Sequence, residues 1–554
     1  MATIHDKDSR FLLREGDYAK ALEMASRAVD ALPQPISPGN LHVLENKLSI
    51  LLLISRYGDV RSSLEKYHPE KLLPRILIRK QRIDAMVSLA DCTDGYDSAV
   101  KLFNSIRTSG LLNGADHWRS MNDYATALML KGSLKEAEGQ SRDALALRSK
   151  RLGPDHRDTL SSAHTLAEVL LRSGKYDEGL HHIQHAFHGR QTVLGPQHPD
   201  TFHSKMILAS LLFGKALTLG DYDEAEKMLL DCSNGLGKCL SSDLHPLVLT
   251  SNSTLALVLF AKGKYSASEK MNGTVLAARQ NGPWLEPKTH PDTLTSMQQL
   301  MEVFRLGGRL SAADEMSKFI LEERTRVLTK GTQAGNDFHP DQLCSFHQRA
   351  IVLSLRASQS TGVEATNLHT EAVRMIDIAL MGRNAVLGPN HPDVYLSLTW
   401  KGEIIRAEQR SQKLFPADRE SKLNVIDGLH SDALKSLTLI FGSEHRHTLQ
   451  VKINMAAAKL EREKPAYYET ARSLYHDVYS ANYRNLGELH PETLKSKTSL
   501  ARAMRLVDPT RHDESKTLWM EACAGLAKVF GLDGMETVKA YREYEEFFAG
   551  NKKP

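Results

Sequence analysis

The stretch GLHHIQHAFHGRQTVLGPQHPDTFH, Gly179 to His203, places six histidines within twenty-five residues. Imidazoles are common metal ligands, and two of them one helical turn apart can chelate zinc. His181, His185 and His188 have that spacing on a helix, yet no HExxH pattern or nearby cysteine completes a site. A polar stripe on an outward helix face is the plainer reading, so no metal and no cofactor are expected. The segment CSNGLGKC, Cys232 to Cys239, comes near a phosphate-binding loop. Such a loop needs glycine where Cys232 stands and a hydroxyl where Cys239 stands, so the glycines are expected to end a helix instead. No nucleophile elbow, CxxC pair or dinucleotide fingerprint is present. Catalytic residues are therefore not assigned, and the balance leans away from an enzyme.

A chain of 554 residues exceeds what one hydrophobic core can serve, so several domains or an extended repeat array must divide it. Its 41% hydrophobic and 25% charged residues are those of an ordinary folded protein. The net charge of +4 gives no strong field for nucleic acid or anionic lipid. The densest basic patch, Arg75 to Arg82, reads as a solvated helix face. The apolar run LSILLLIS, Leu48 to Ser55, is less than half of the ~20 residues a membrane span requires and reads as a buried helix. The first residues lack the apolar centre of a signal peptide, and five scattered cysteines suit a reducing compartment. A cytoplasmic protein without membrane or nucleic-acid contact is expected.

The elements that carry the histidines repeat. LGPDHRDTL at Leu152 returns as LGPQHPDTF, SSDLHPLVL, EPKTHPDTL, NDFHPDQL, LGPNHPDVY, GSEHRHTL and GELHPETL. The marker histidines are His156, His198, His245, His290, His339, His391, His445 and His490, separated by 42 to 54 residues. Between them run the turns GSL, GKY, GDY, GKY and GRL at Gly132, Gly174, Gly220, Gly263 and Gly308. One period reads as a helical hairpin. Leu160, Ala163, Leu166, Ala167 and Leu170 form the apolar stripe of a first helix, which Gly174 ends. A second helix follows from Asp177, with Ile183, Ala186, Phe187 and Val193 on its stripe, and Gly195-Pro196 breaks it. Neither helix can bury its stripe alone, which is the logic of a solenoid.

Two helices per period, the GKY and GDY turns, alanine after the turn as in GDYDEAE and the LGPxHPDTL linkers together resemble the kinesin light chain type of tetratricopeptide (TPR) repeat. The resemblance covers residues 116–505. EGDYAKALEMASRAVDALP at Glu15, ISRYGDVRSSLEKY and CTDGYDSAVKLF look like divergent repeats in 1–115, and 506–554 reads as degenerate capping helices. The fold implied is all-α: a right-handed superhelical solenoid of about a dozen helical pairs. Helix-poor insertions are expected around Thr329–Asp337 and Ser411–Glu420. No heptad coiled coil precedes the repeats, so the resemblance implies a repeat type rather than motor attachment.

In this repeat class the first helix of each pair lines the concave groove, where kinesin light chains carry an asparagine pair that holds an extended peptide. Carried over by position, the resemblance gives Asn122 and Asp123, His164 and Thr165, Met206 and Ile207, Ser253 and Thr254, Gln298 and Gln299, His347 and Gln348, Thr399 and Trp400, Ile453 and Asn454, and Thr498 and Ser499. Most can hydrogen-bond, although no Asn-Asn pair is kept and a merely solvent-facing polar ladder remains an alternative. The leading expectation is a non-catalytic scaffold or adaptor that binds a protein or peptide in this groove. The other is a cofactor-free enzyme or small-molecule binder using a chamber enclosed by the superhelix.

Overall fold

The computed structural model describes residues 4–9, 18–32, 43, 47, 96–108, 115–281, 289–328, 338–412 and 415–549. The described residues contain 22 helices and no strand. The expectations for Leu48–Ser55, Arg75–Arg82, ISRYGDVRSSLEKY and Thr329–Asp337 fall outside them. No described helix is long and apolar enough to cross a membrane.

Two helices from the divergent region, α1 (Tyr18–Asp30) and α2 (Tyr96–Thr108), precede nine complete hairpins. Their first helices are α3 (Ala115–Lys131), α5 (Arg157–Arg172), α7 (Pro199–Lys215), α9 (Pro246–Ala261), α11 (Pro291–Leu306), α13 (Pro340–Ala357), α15 (Pro392–Ser411), α17 (Arg446–Leu460) and α19 (Pro491–Val507). The second helices are α4 (Leu134–Leu152), α6 (Tyr176–Val193), α8 (Leu219–Cys239), α10 (Tyr265–Asn281), α12 (Leu310–Leu328), α14 (Gly362–Val386), α16 (Pro416–Phe441), α18 (Pro465–Leu486) and α20 (His512–Phe530). A last helix, α21 (Met535–Ala549), packs on α20.

The stripe of α5 is buried as its spacing requires, with Leu160, Ala163, Leu166, Ala167 and Leu170 closed off from solvent. On α6, Ile183 and Ala186 are buried and Phe187 is half-buried, but Val193, the last residue of the helix, is 49% exposed. The Ser411–Glu420 insertion differs from expectation. Its described residues Ser411 and Pro416–Glu420 belong to α15 and α16, the latter reaching 26 residues and starting at Pro416, a residue well suited to the first turn.

All eight linker histidines are N-caps. In each, Nδ1 accepts the backbone N–H two residues on, at 3.1–3.4 Å. An acceptor Nδ1 carries no proton, so the neutral ring holds its hydrogen on Nε2. Proline follows at the first helical position in six of the eight, where its missing N–H costs nothing.

Successive turns of the solenoid touch. His339 Nε2 donates to the Leu130 carbonyl at 2.8 Å, His391 to Arg172 at 3.2 Å, His445 to Gly214 at 3.1 Å and His490 to Ala261 at 3.1 Å. Each bond joins the start of one first helix to the end of the first helix five hairpins earlier. Five hairpins therefore make one turn, and the first helices stack end to end as staves. The turn residues complete this seam. Tyr176 stacks on Phe441 at 5.8 Å, Tyr265 on Phe530 at 5.7 Å, and Tyr96 lies 6.0 Å from the His339 ring.

Candidate functional site

The first helices, joined turn to turn by the seam, carry the groove positions expected from the sequence.

The predicted groove positions lie on these helices, and many of them hydrogen-bond across to a neighbouring stave. Asn122 Nδ2 donates to Thr165 Oγ1 at 3.1 Å, and Ser253 Oγ donates to Gln299 Oε1 at 2.9 Å. His164 Nδ1 pairs with Ser204 Oγ at 3.2 Å and His347 Nδ1 with Ser397 Oγ at 3.3 Å. Gln298 donates to Cys344 Sγ at 3.3 Å and also takes a hydrogen bond from Arg324. Thr254 and Thr399 instead bond carbonyls of their own helices, and Asn454 accepts from Gln450. Asp123, Gln348 and Trp400 are half-buried, and the Arg305 guanidinium lies 5.8 Å over the Trp400 ring. Met206 and Ile207 are buried. Burial, with His203 4.4 Å away ring to ring, holds the His164 imidazole well below its usual pKa and therefore neutral.

The histidines of α6 take separate partners. His185 Nε2 meets Asp155 at 3.2 Å and His188 meets Gln191 at 3.3 Å, while His181 is exposed. Among the described residues, no three His, Cys, Asp or Glu side chains converge on a point that could hold a metal.

A cavity of about 870 Å³ opens beside the C-terminal ends of α15, α17 and α19. Gln409 and Arg410 from α15, Glu461 beyond α17, Tyr475 from α18, and Thr498, Ser499 and Arg502 from α19 line it. The last ladder pair, Thr498 and Ser499, thus shares a wall with groups the sequence did not single out. Glu461 takes ion pairs from Arg406 at 2.8 Å and from Arg410, yet its Oε2 is buried without a partner. Gln409 is 4% exposed with Oε1 likewise unpartnered. Burial pushes the Tyr475 hydroxyl up to about 12, so it stays a donor at neutral pH. Arg502, whose guanidinium lies 5.5 Å from the Phe547 ring, is exposed. Open to solvent on the same wall are Arg410, Glu463 and Arg502, with Thr498 and Ser499 half-buried beside them.

A second recurring device escaped the sequence reading. Arg148, Arg190, Arg279, Arg324 and Arg383, near the ends of second helices, each donate to a backbone carbonyl at the start of the next first helix and to a serine one turn on. In four of the linkers the signal was an arginine or asparagine eight residues before the marker histidine and a serine six after it, as in Arg190, His198 and Ser204. Around His445 both partners change together: Leu437 and Val451 stand in the two places, fully buried.

The tetratricopeptide repeat family model matches residues 119–187. A solved structure of Podosopora anserina putative kinesin light chain nearly identical TPR-like repeats is 22% identical, covering 40% of this chain and 100% of its own, with a TM-score of 0.29. A Rap protein complexed with Competence and Sporulation Factor is 11% identical over 68% of this chain and 100% of its own, TM-score 0.44. A human IFIT1 dimer with PPP-AAAA is 13% identical over 90% and 93%, TM-score 0.37. No curated protein matches. The tetratricopeptide family model thus falls on α3 to α6, and the hairpins that follow repeat the same two-helix unit behind their histidine linkers.

Proposed function

We propose that this protein is a non-catalytic scaffold that takes an extended segment of a partner polypeptide against the inner face of its coil, engaging it first at the C-terminal mouth. The carrying observation is the mixed lining of the 870 Å³ cavity, where the exposed Glu463 carboxylate and the half-buried Thr498 and Ser499 hydroxyls share a wall with the exposed donors Arg410 and Arg502. An extended main chain presents both donors and acceptors at every residue, so it matches such a wall where a purely anionic or apolar ligand does not. Repeats of this family generally mediate protein interactions, which supports the same class of partner.

The test is site-specific crosslinking. A photo-reactive residue at Arg502 should capture a polypeptide from the native extract that one at the outward, 74% exposed Met381 does not. Equal capture at both positions would refute the mouth assignment. The size of the cavity favours a second reading, since small-molecule sites occupy about 300–1,000 Å³. Native mass spectrometry of the purified chain decides between them: a retained small-molecule mass, lost on Arg502→Glu, would favour the ligand chamber.

A further inference from the structure

We propose that the four seam histidines, His339, His391, His445 and His490, form a proton-operated clasp: neutral, they hold successive turns of the coil together, and protonated, they release the seam and uncover the inner face. The inference rests on the closure of the coil and stands whether or not a polypeptide occupies the mouth.

Each of these rings uses both nitrogens at once. Nδ1 accepts the cap N–H of its own helix, and Nε2–H reaches the carbonyl end of a stave five hairpins back. A second proton goes to Nδ1 and turns the acceptor into a donor facing another donor. The ring must then leave either its cap or the seam. Helix dipoles do not settle the choice. Each ring sits between the C-terminus of one helix, which favours a cation, and the N-terminus of another, which opposes it, and the two effects offset. What remains is the lost cap bond and the burial of charge.

The neighbours set how readily each ring takes a proton. His339 faces the Asp341 carboxylate at 3.8 Å, with Arg172, Arg324 and the Tyr96 ring around it. Burial still holds it below the usual range. His490 faces Glu492 and Lys495, with the same net direction from burial. His391 meets Arg172 through its carbonyl and Asp393 through its cap. Around His445, Arg446 follows it and the His447 ring lies 5.1 Å away, while Phe441 stacks on it at 4.2 Å. Across the seam, Tyr176, Asp177, Glu178 and Lys215 line the adjoining cavity. Burial and Arg446 bring His445 down to about 4. Below the ordinary histidine range the closed coil therefore binds fewer protons at His339, His445 and His490 than the open one, and acid favours opening.

Asparagine is the discriminating replacement, because its side-chain oxygen keeps the cap without titrating and does not reach the seam. Spin labels at exposed Asp177 and Asn390, on either side of the seam, read the gap on a background with accessible cysteines replaced by serine. In the parent chain the label distance should lengthen as pH falls from about 6.5 to 4 while far-ultraviolet dichroism holds. With all four histidines changed to asparagine, the distance should not respond to pH over that window. His445→Asn alone should remove about one proton from the opening transition, and His156→Asn, at an exposed cap without a seam bond, should leave it unchanged. A distance that stays fixed until helicity collapses, or a fourfold variant that follows the parent pH curve, overturns the clasp.

Discussion

Gly174 and Pro392 meet across the seam so closely that a Cβ built on the glycine would lie 2.8 Å from the proline Cδ. Gly132 stands in the same relation to Pro340 at 2.3 Å, and Gly263 to Pro491 at 2.6 Å. The glycine of the GKY-type turn therefore answers two demands. It takes φ near +69° at Gly174, and it leaves room for a hairpin five places later. Gly174→Ala should cost about 1–2 kcal/mol for the left-handed backbone and a further 1–3 kcal/mol for the overlap. Only the second part should be recovered in Gly174→Ala with Pro392→Ala, so a double-mutant cycle on thermal midpoints should show coupling. Additive losses would place the two residues apart in solution.

The arginine bridges can be exchanged for the chain's own apolar alternative. Arg383 donates to the Asp393 carbonyl at 3.0 Å and to Ser397 Oγ at 2.8 Å. Arg383→Leu strands the Asp393 carbonyl, leaves Ser397 Oγ to His347 alone, and should destabilise by about 2–4 kcal/mol. Adding Ser397→Val with His347→Thr, since His347 Nδ1 would otherwise lose its partner, recreates the Leu437, Val451 and Thr399 set and should recover a large part of that loss. Denaturant unfolding of the three proteins checks it.

Acid should weaken the array in a defined window. His445 is 1% exposed and drawn from 6.5 down to about 4, so its neutral form contributes about 3 kcal/mol. That contribution is complete above about pH 6.5 and is lost as pH falls toward 4. His445→Asn should therefore lose less stability between pH 7 and pH 4.5 than the parent, measured by urea midpoints. An identical loss would mean that this ring titrates normally.

Thiol chemistry should divide the cysteines. Burial pushes Cys232 up to about 12 and Cys523 to about 11, and both are closed to solvent. Both should resist an aromatic disulfide reagent in the native protein, whereas half-buried Cys239 should react before either. Prompt labelling of Cys232 would show local opening of α8.

What the sequence disclosed was whatever one hairpin needs for itself. The LGPxHPDTL linker gave the helix starts, because a cap, a proline and an acidic first turn serve local geometry and leave a local pattern. The seam was hidden for the same reason. A histidine that only caps and one that also reaches Leu130 are spelled alike, and the partner stands on another turn of the coil. Gly174 likewise reads as a turn glycine whether or not Pro392 crowds it. The ladder residues were legible as polar, but their types do not say whether Asn122 faces a ligand or Thr165. The arginine bridges did leave a pattern, Arg190 with Ser204 for instance, which the histidine and glycine markers overshadowed. The mouth cavity had none, since Gln409, Tyr475 and Arg502 converge from three helices with no common spacing.

A linear stack of repeats frays from its ends, each unit answering only to the one before and after it. Here the His391 bond and its three counterparts give hairpins a second set of neighbours, so the chain is knitted like cloth wound on a cylinder. A stitch dropped in α5 is held by α15 as well as by α3 and α7. Cooperativity should then extend over a full turn, and the length that matters for adding or removing repeats is counted against the circumference of the coil.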